Sequence, residues 1–150
     1  MSVKQKEGIK IYSEMISSDA FEVCRQVKVI LGRLERVPGI DADQQFDIRV
    51  ILSELLQNAI RHGNANDSNK KVLIDVWYHD DSRILSICVT DQGQGFDVKR
   101  IIECREKSGC DALAMDESGR GLYIVQSLCD DIQFNPVGNA ITVRMWLDSH

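Results

Sequence analysis

Two rhythms of apolar residues alternate along this chain, and their order lays out its elements. Ile9 to Ile16 alternates partly and predicts a first strand. From Ala20 to Val37 the apolar residues Phe21, Cys24, Val27, Ile30, Leu31 and Leu34 recur at the spacing of one helix face. Ser17, Ser18 and Asp19 stand just before it and can accept from the free N–H groups of a helix start. Pro38-Gly39 breaks that helix. A second helix, capped by Asp41 or Asp43, carries Ile48, Leu52, Leu55, Leu56 and Ala59 on its apolar side. It runs to about His62, with Gly63 in the place of a C-terminal glycine stop. Beyond the polar loop from Asn64 to Lys71, the strands Val72–Tyr78 and Ile84–Thr90 flank a turn at His79-Asp80-Asp81-Ser82 and read as a hairpin. Val98 to Lys107 has room for a short helix, and Ser108 to Glu117 has no periodicity. Gly119-Arg120-Gly121 opens a helix through Leu122, Ile124, Val125, Leu128 and Cys129. Strands near Asp131–Asn135 and Ala140–Leu147 follow, linked by Pro136-Val137-Gly138-Asn139. Strands joined mostly as hairpins predict an α+β fold: a two-layer α/β sandwich whose mixed, mostly antiparallel sheet has helices on one face.

Composition narrows the function classes. A chain of 150 residues fits one domain with one core, so a single domain over 1–150 is expected. A net charge of -5 argues against a nucleic-acid partner, because phosphate backbones need a basic face. No apolar run approaches the length needed to span a membrane, and Met1 to Glu7 lacks the apolar core of a signal peptide. The five cysteines form no CxxC pair, which fits reduced thiols in the cytoplasm and no structural zinc.

Three short segments carry candidate chemistry. Glu54 and Asn58 are four apart and sit one above the other on a helix, with Asp47 and Arg61 near the same side. A carboxylate and a carboxamide beside an apolar wall suit a hydrated cation and a nearby hydroxyl; a solvated helix flank has the same pattern. Asp91 ends a strand and is followed by Gly93 and Gly95, which allow close backbone approach to a ligand. A carboxylate there can accept from an exocyclic amine such as adenine's, and guanine places a carbonyl at that position instead. An ordinary Asp–Gly turn is the plain alternative. Gly119 and Gly121 sit at a helix start, where free N–H groups and the helix dipole favour phosphate, and Arg120 lies between them. The same glycines can be a loop hinge. No GxxxxGK[ST] loop occurs, and Gly93 and Gly95 do not continue as GxGxxG.

Taken in order, Glu54-x-x-x-Asn58-Ala59-x-x-His62-Gly63, Asp91-x-Gly93-x-Gly95-Phe96 and Gly119-Arg120-Gly121-Leu122-x-Ile124 resemble the N, G1 and G2 boxes of the Bergerat-fold ATPases. That superfamily holds gyrase, a family of chaperones, histidine kinases and the mismatch-repair ATPases. Within it, the chain looks most like the anti-sigma factor serine/threonine kinases, on its size, its N-terminal strand and paired helices, and its Asn-Ala-x-x-His-Gly ending. The resemblance covers nearly the whole chain.

It implies ATP and Mg2+ as cofactors and a role for each matching residue. Glu54 would be the general base toward an acceptor hydroxyl, and Asn58 would ligate magnesium. Asp91 would read the adenine amine over a wall shaped by Gly93 and Gly95. Gly119 and Gly121 would contact phosphate, with Arg120 and Arg61 as candidate phosphate contacts. The stretch at about 98–118 would be an ATP lid, and His62 would close the helix end. Of the three histidines, His62, His79 and His150, none lies on a helical pair suited to a phosphoacceptor, so the acceptor is expected on another protein. The implied activity is phosphorylation of a serine or threonine on an anti-sigma-factor antagonist, alternating with sequestration of a sigma factor, in a cytoplasmic homodimer. Two alternatives remain at this level. One is a non-catalytic switch that uses ATP only as a structural ligand. The other is a kinase for a different signalling partner, bound through the polar side of the first helix with Arg25, Lys28, Arg33, Glu35 and Arg36; a solvated face has that pattern too.

Overall fold

The structure, a computed structural model, describes residues 8–93 and 117–147. Gly95 and the stretch 94–116, which holds nearly all of the expected lid together with Cys104 and Cys110, lie outside the described residues. The element order is β1 (Ile9–Ser17), α1 (Ala20–Leu34), α2 (Ala42–Asn58), one π-helical turn (Ala59–Gly63), β2 (Lys71–His79), β3 (Ile84–Thr90), α3 (Glu117–Leu128), β4 (Asp131–Phe134) and β5 (Ala140–Trp146).

Alternation of apolar residues fixes the sheet. Its five strands run in the order β1-β2-β3-β5-β4, and every pairing among the described strands is antiparallel. The register stacks Ile74, Val89 and Ile141 in one row, Val76, Ile87 and Val143 in the next, and Tyr78, Leu85 and Met145 in a third. All nine side chains are buried, so one sheet face makes the core with the helices. The opposite face carries rows such as Asp75, Cys88, Thr142 and Trp77, Ser86, Arg144. Slipping any strand by one residue would exchange the two faces.

Capping residues set where the helices begin. Asp19 caps α1, accepting from the Phe21 N–H at 3.2 Å. Asp41 caps α2 in a reciprocal box with Gln44. Helix α1 ends at Leu34, earlier than the expected Val37, because Arg36 and Val37 close tight turns onto Arg33 and Leu34. Its apolar stripe is also shorter than the spacing suggests. Val27, Ile30, Leu31 and Leu34 are buried, whereas Phe21 is 79% exposed and Cys24 is exposed. On α2, Ile48, Ile51, Leu52, Leu55 and Leu56 are all buried and clamp the helix to the sheet. No helix among the described residues is long and apolar enough to cross a membrane.

Candidate nucleotide site

The site grows from the end of α2. Helical spacing brings Glu54 and Asn58 onto one side of it, and α3 packs across that side. A cavity of about 170 Å³ lies between them, lined by Glu54, Gln57, Asn58, Arg61, His62, Arg120, Gly121 and Ile124. That volume is below the roughly 300–1,000 Å³ of a whole small-molecule pocket, so it suits one end of a nucleotide. Two guanidinium groups and an imidazole face one carboxylate there. A chain of net charge -5 thus gathers cations where a phosphate chain would need them.

Glycine at 121 permits the close approach of the two helices. A Cβ on Gly121 would stand 2.8 Å from Glu54 Oε2 and 3.3 Å from Asn58 Nδ2. Helix α3 starts at Glu117, two residues before the glycine pair. Gly119 therefore falls among the free N–H groups of the helix start, whereas Arg120 and Gly121, the fourth and fifth residues of the helix, fall past them. What Gly121 supplies is space for Glu54 and Asn58 rather than a free donor of the helix start.

Asn58 brings an unsatisfied buried donor to this cavity. It is 3% exposed, and among the described residues its Nδ2 is a buried side-chain atom without a hydrogen-bond partner. Leaving such a donor unpaired costs about 1–3 kcal/mol. The fold tolerates it because each fully buried neighbour, such as Leu55 or Leu56, contributes about 1.5–3 kcal/mol of burial. A phosphate oxygen would satisfy the donor; turned half a revolution, the same amide presents its oxygen to a cation. Among the described residues no group of three or more His, Cys, Asp and Glu could hold a metal. Magnesium does not require one, since it takes one or two protein oxygens and completes its shell with water and phosphate. The residues present therefore fit a magnesium–phosphate group.

Asp91 forms a second cluster. It is 5% exposed, and its Oδ1 accepts from the Gly93 N–H at 2.7 Å. Its backbone is held on the other side: the Asp91 N–H donates to Asn139 O at 2.9 Å, and Asn139 Nδ2 donates to Asp91 O at 3.1 Å. Burial pushes the Asp91 carboxyl above its ordinary value, partly offset by the Gly93 N–H and by Lys70. One short backbone bond leaves most of its acceptor sites available to an amine.

Gly63 and Gly93 make this packing possible. A Cβ on Gly63 would collide with the Asp91 carboxylate, and one on Gly93 would run into the Gly63 carbonyl. This corrects the expected role of Gly63 as a left-handed helix stop. The glycines with positive φ among the described residues are Gly39 and Gly138, and the chain turns after α2 at Ala65 (φ 51) and Asn66 (φ 58). The helix instead ends in a π turn, closed by the Asn64 N–H on Ala59 O at 2.7 Å.

The structure thus brings Glu54, Asn58, Arg61, Arg120 and Gly121 around one cavity. It sets Asp91 and Gly93 against Gly63, the residue after the cavity-lining His62. Asp91 is not itself in that cavity lining. Gly119 lies in the first turn of α3, and Gly95 is outside the described residues. Three lining residues were not foreseen, Gln57, His62 and Ile124, the last read only as an apolar residue of its helix. Gln57 looks like an ordinary exposed helix residue, and its position four before Arg61 is the one signal. His62, read as closing the helix end, lines the cavity as well. A larger groove of about 590 Å³ runs along α1 and α2 and shares Gln57 and Arg61 with the first. Among the described residues it is lined by no carboxylate and no glycine.

Residues 19–145 match the histidine kinase-like ATPase domain. The chain belongs to that family. Among individual proteins, this ATPase-like domain is 28% identical over 138 residues to the serine-protein kinase RsbW of Bacillus licheniformis, covering 89% of this chain and 83% of that protein. It is 31% identical over 91 residues to the anti-sigma F factor of Oceanobacillus iheyensis, covering 61% of this chain and 60% of that protein. A second anti-sigma F factor, from Priestia megaterium, is 29% identical over 91 residues, again covering 61% of this chain and 60% of that protein.

Proposed function

We propose that this histidine kinase-like ATPase domain is a serine/threonine protein kinase of the partner-switching kind. It binds ATP, phosphorylates an anti-sigma-factor antagonist protein, and in its other state sequesters a sigma factor, acting as a homodimer in the cytoplasm. One observation carries the reading: Glu54, the unpaired Asn58 amide and Gly121 share a cation-rich cavity, one residue along the chain from the Gly63 on which Asp91 packs. The similarity to a serine-protein kinase over most of that protein's length supports it.

In this reading each residue has a task. Asp91 accepts a hydrogen bond from the adenine amine, and burial makes that bond selective, because a carbonyl in the amine's place would oppose the carboxylate. Gly93 and Gly95 let the backbone lie close under the base. Asn58 would hold magnesium, which would offset phosphate charge. Gly119, Arg120, Gly121 and Arg61 surround the phosphates. Glu54 takes the proton from the acceptor hydroxyl; the hydroxyl oxygen of the serine or threonine forms the new bond to the γ-phosphorus, the bond from the γ-phosphorus to the bridging β-phosphate oxygen breaks, and ADP leaves.

The test is transfer of labelled γ-phosphate from ATP to an antagonist protein co-purified from the native cell. Wild type should label a serine or threonine on it. Glu54→Ala should bind ATP with near wild-type affinity and lose transfer by at least about a hundredfold, the lower range for general-base catalysis. Wild type that binds ATP without labelling any co-purified protein would point to the non-catalytic switch. Glu54→Ala that labels at the wild-type rate would remove Glu54 from the mechanism.

A further inference from the structure

Asn64 opens the polar loop after α2, and its surroundings are unlike those of a loop residue. It is 0% exposed. Its Oδ1 accepts from the Gln92 N–H at 2.7 Å. Its Nδ2 donates to Lys71 O at 3.0 Å and to Ser18 Oγ at 3.1 Å. Ser18 passes its own proton on to Lys70 O at 2.7 Å. The Gln92 side chain closes the ring, accepting from the Lys71 N–H at 2.6 Å. One buried carboxamide therefore joins the end of α2, the residue after β1, the start of β2 and the backbone immediately after Asp91.

That last bond gives the network a consequence beyond stability. Gln92 lies between Asp91 and Gly93, and the Gly93 N–H is the donor that orients the Asp91 carboxylate. Holding the Gln92 N–H fixes the peptide between Asp91 and Gln92, which joins the residue bearing the carboxylate to the peptide that supplies its orienting donor. Asn139 holds the Asp91 N–H and carbonyl, and Asn64 holds the N–H at the other end of the peptide that follows Asp91. Resting on the reading of Asp91 as the adenine contact, we propose that Asn64 is a positioning residue for base selection: it sets the aim of Asp91 and so the preference for an amine over a carbonyl at the purine 6-position. It does not line the cavity of Glu54, Asn58 and Gly121.

A selectivity measurement separates this from a purely structural role. Dissociation constants are measured for ATP, for inosine triphosphate, which bears a carbonyl in place of the amine, and for magnesium tripolyphosphate. Asn64→Ala should lower the ratio of ATP to inosine triphosphate affinity by about tenfold or more, because an acceptor out of place no longer discriminates. Its tripolyphosphate affinity should stay within about twofold of wild type. Ser18→Ala removes one anchor of the carboxamide and should move the ratio the same way by a smaller factor; it carries the test if Asn64→Ala does not fold. An unchanged ratio in a folded variant overturns the proposal, even if its melting temperature falls. Wild type that binds both nucleotides equally overturns the Asp91 assignment itself, a result distinct from loss of the ratio in the variants alone.

Discussion

At the scale of single residues, function and stability pull in opposite directions at Asp91. Burial raises its carboxyl above the ordinary carboxylate value. A carboxyl raised in the folded state stabilises the protein fully below its unfolded value, and that stabilisation is lost as pH rises through the folded value. At neutral pH the buried charge is therefore a burden on the nucleotide-free protein. Asp91→Asn keeps an oxygen for the Gly93 N–H and removes the charge. Its nucleotide-free form should be at least as stable as wild type at pH 7 in urea titrations, with the advantage shrinking toward pH 4. ATP binding should fall sharply in the same variant; ATP affinity equal to wild type by calorimetry would contradict the assignment. The glycines divide by what a methyl group would meet. At Gly121 it meets the flexible end of Glu54, so Gly121→Ala should fold normally and lose phosphotransfer more than ATP binding. At Gly93 it meets the Gly63 backbone, which cannot move aside, so Gly93→Ala should be destabilised by about 1–3 kcal/mol. Equal melting temperatures for the two variants would count against this contrast.

At the scale of elements, α2 carries the site and its ends are held differently. The Asp41–Gln44 box fixes the start. Asp41→Ala should cost about 1 kcal/mol, seen as a melting temperature lower by about 2–4 °C, with ATP affinity unchanged because the box lies four turns from Asn58. The elements and the spacing of Glu54 with Asn58 were legible in the sequence because they depend on neighbours three or four residues apart. The π turn was not, since one extra residue in a turn barely disturbs the apolar pattern. Nor were the reasons for Gly63 and Asn64. Their partners Asp91, Gln92 and Ser18 lie 28 and 46 residues away for Asn64, and no local pattern encodes such contacts. Phe21 fits the helical stripe of α1 by spacing and is exposed nonetheless, because the core engages that helix only from Val23 onward.

At the scale of the whole molecule, the fold brings segments far apart in sequence to the end of one helix. The sheet register delivers Asp91 to Gly63, and α3 delivers Gly121 to Asn58. Arg61 and Arg120 offset only part of a triphosphate's charge beside Glu54 in a protein of net charge -5, so tight binding should need a divalent cation. ATP with magnesium should raise the melting temperature, and a chelator should abolish most of that rise. The central claim is that the two clusters serve one nucleotide, and a backbone-amide NMR titration with magnesium–ATP tests it most directly. The amides of Asn58, Arg120 and Gly121 should shift together with those of Asp91, Gln92 and Gly93, all along one binding curve. Shifts confined to one cluster, or two clusters titrating with different dissociation constants, would contradict it.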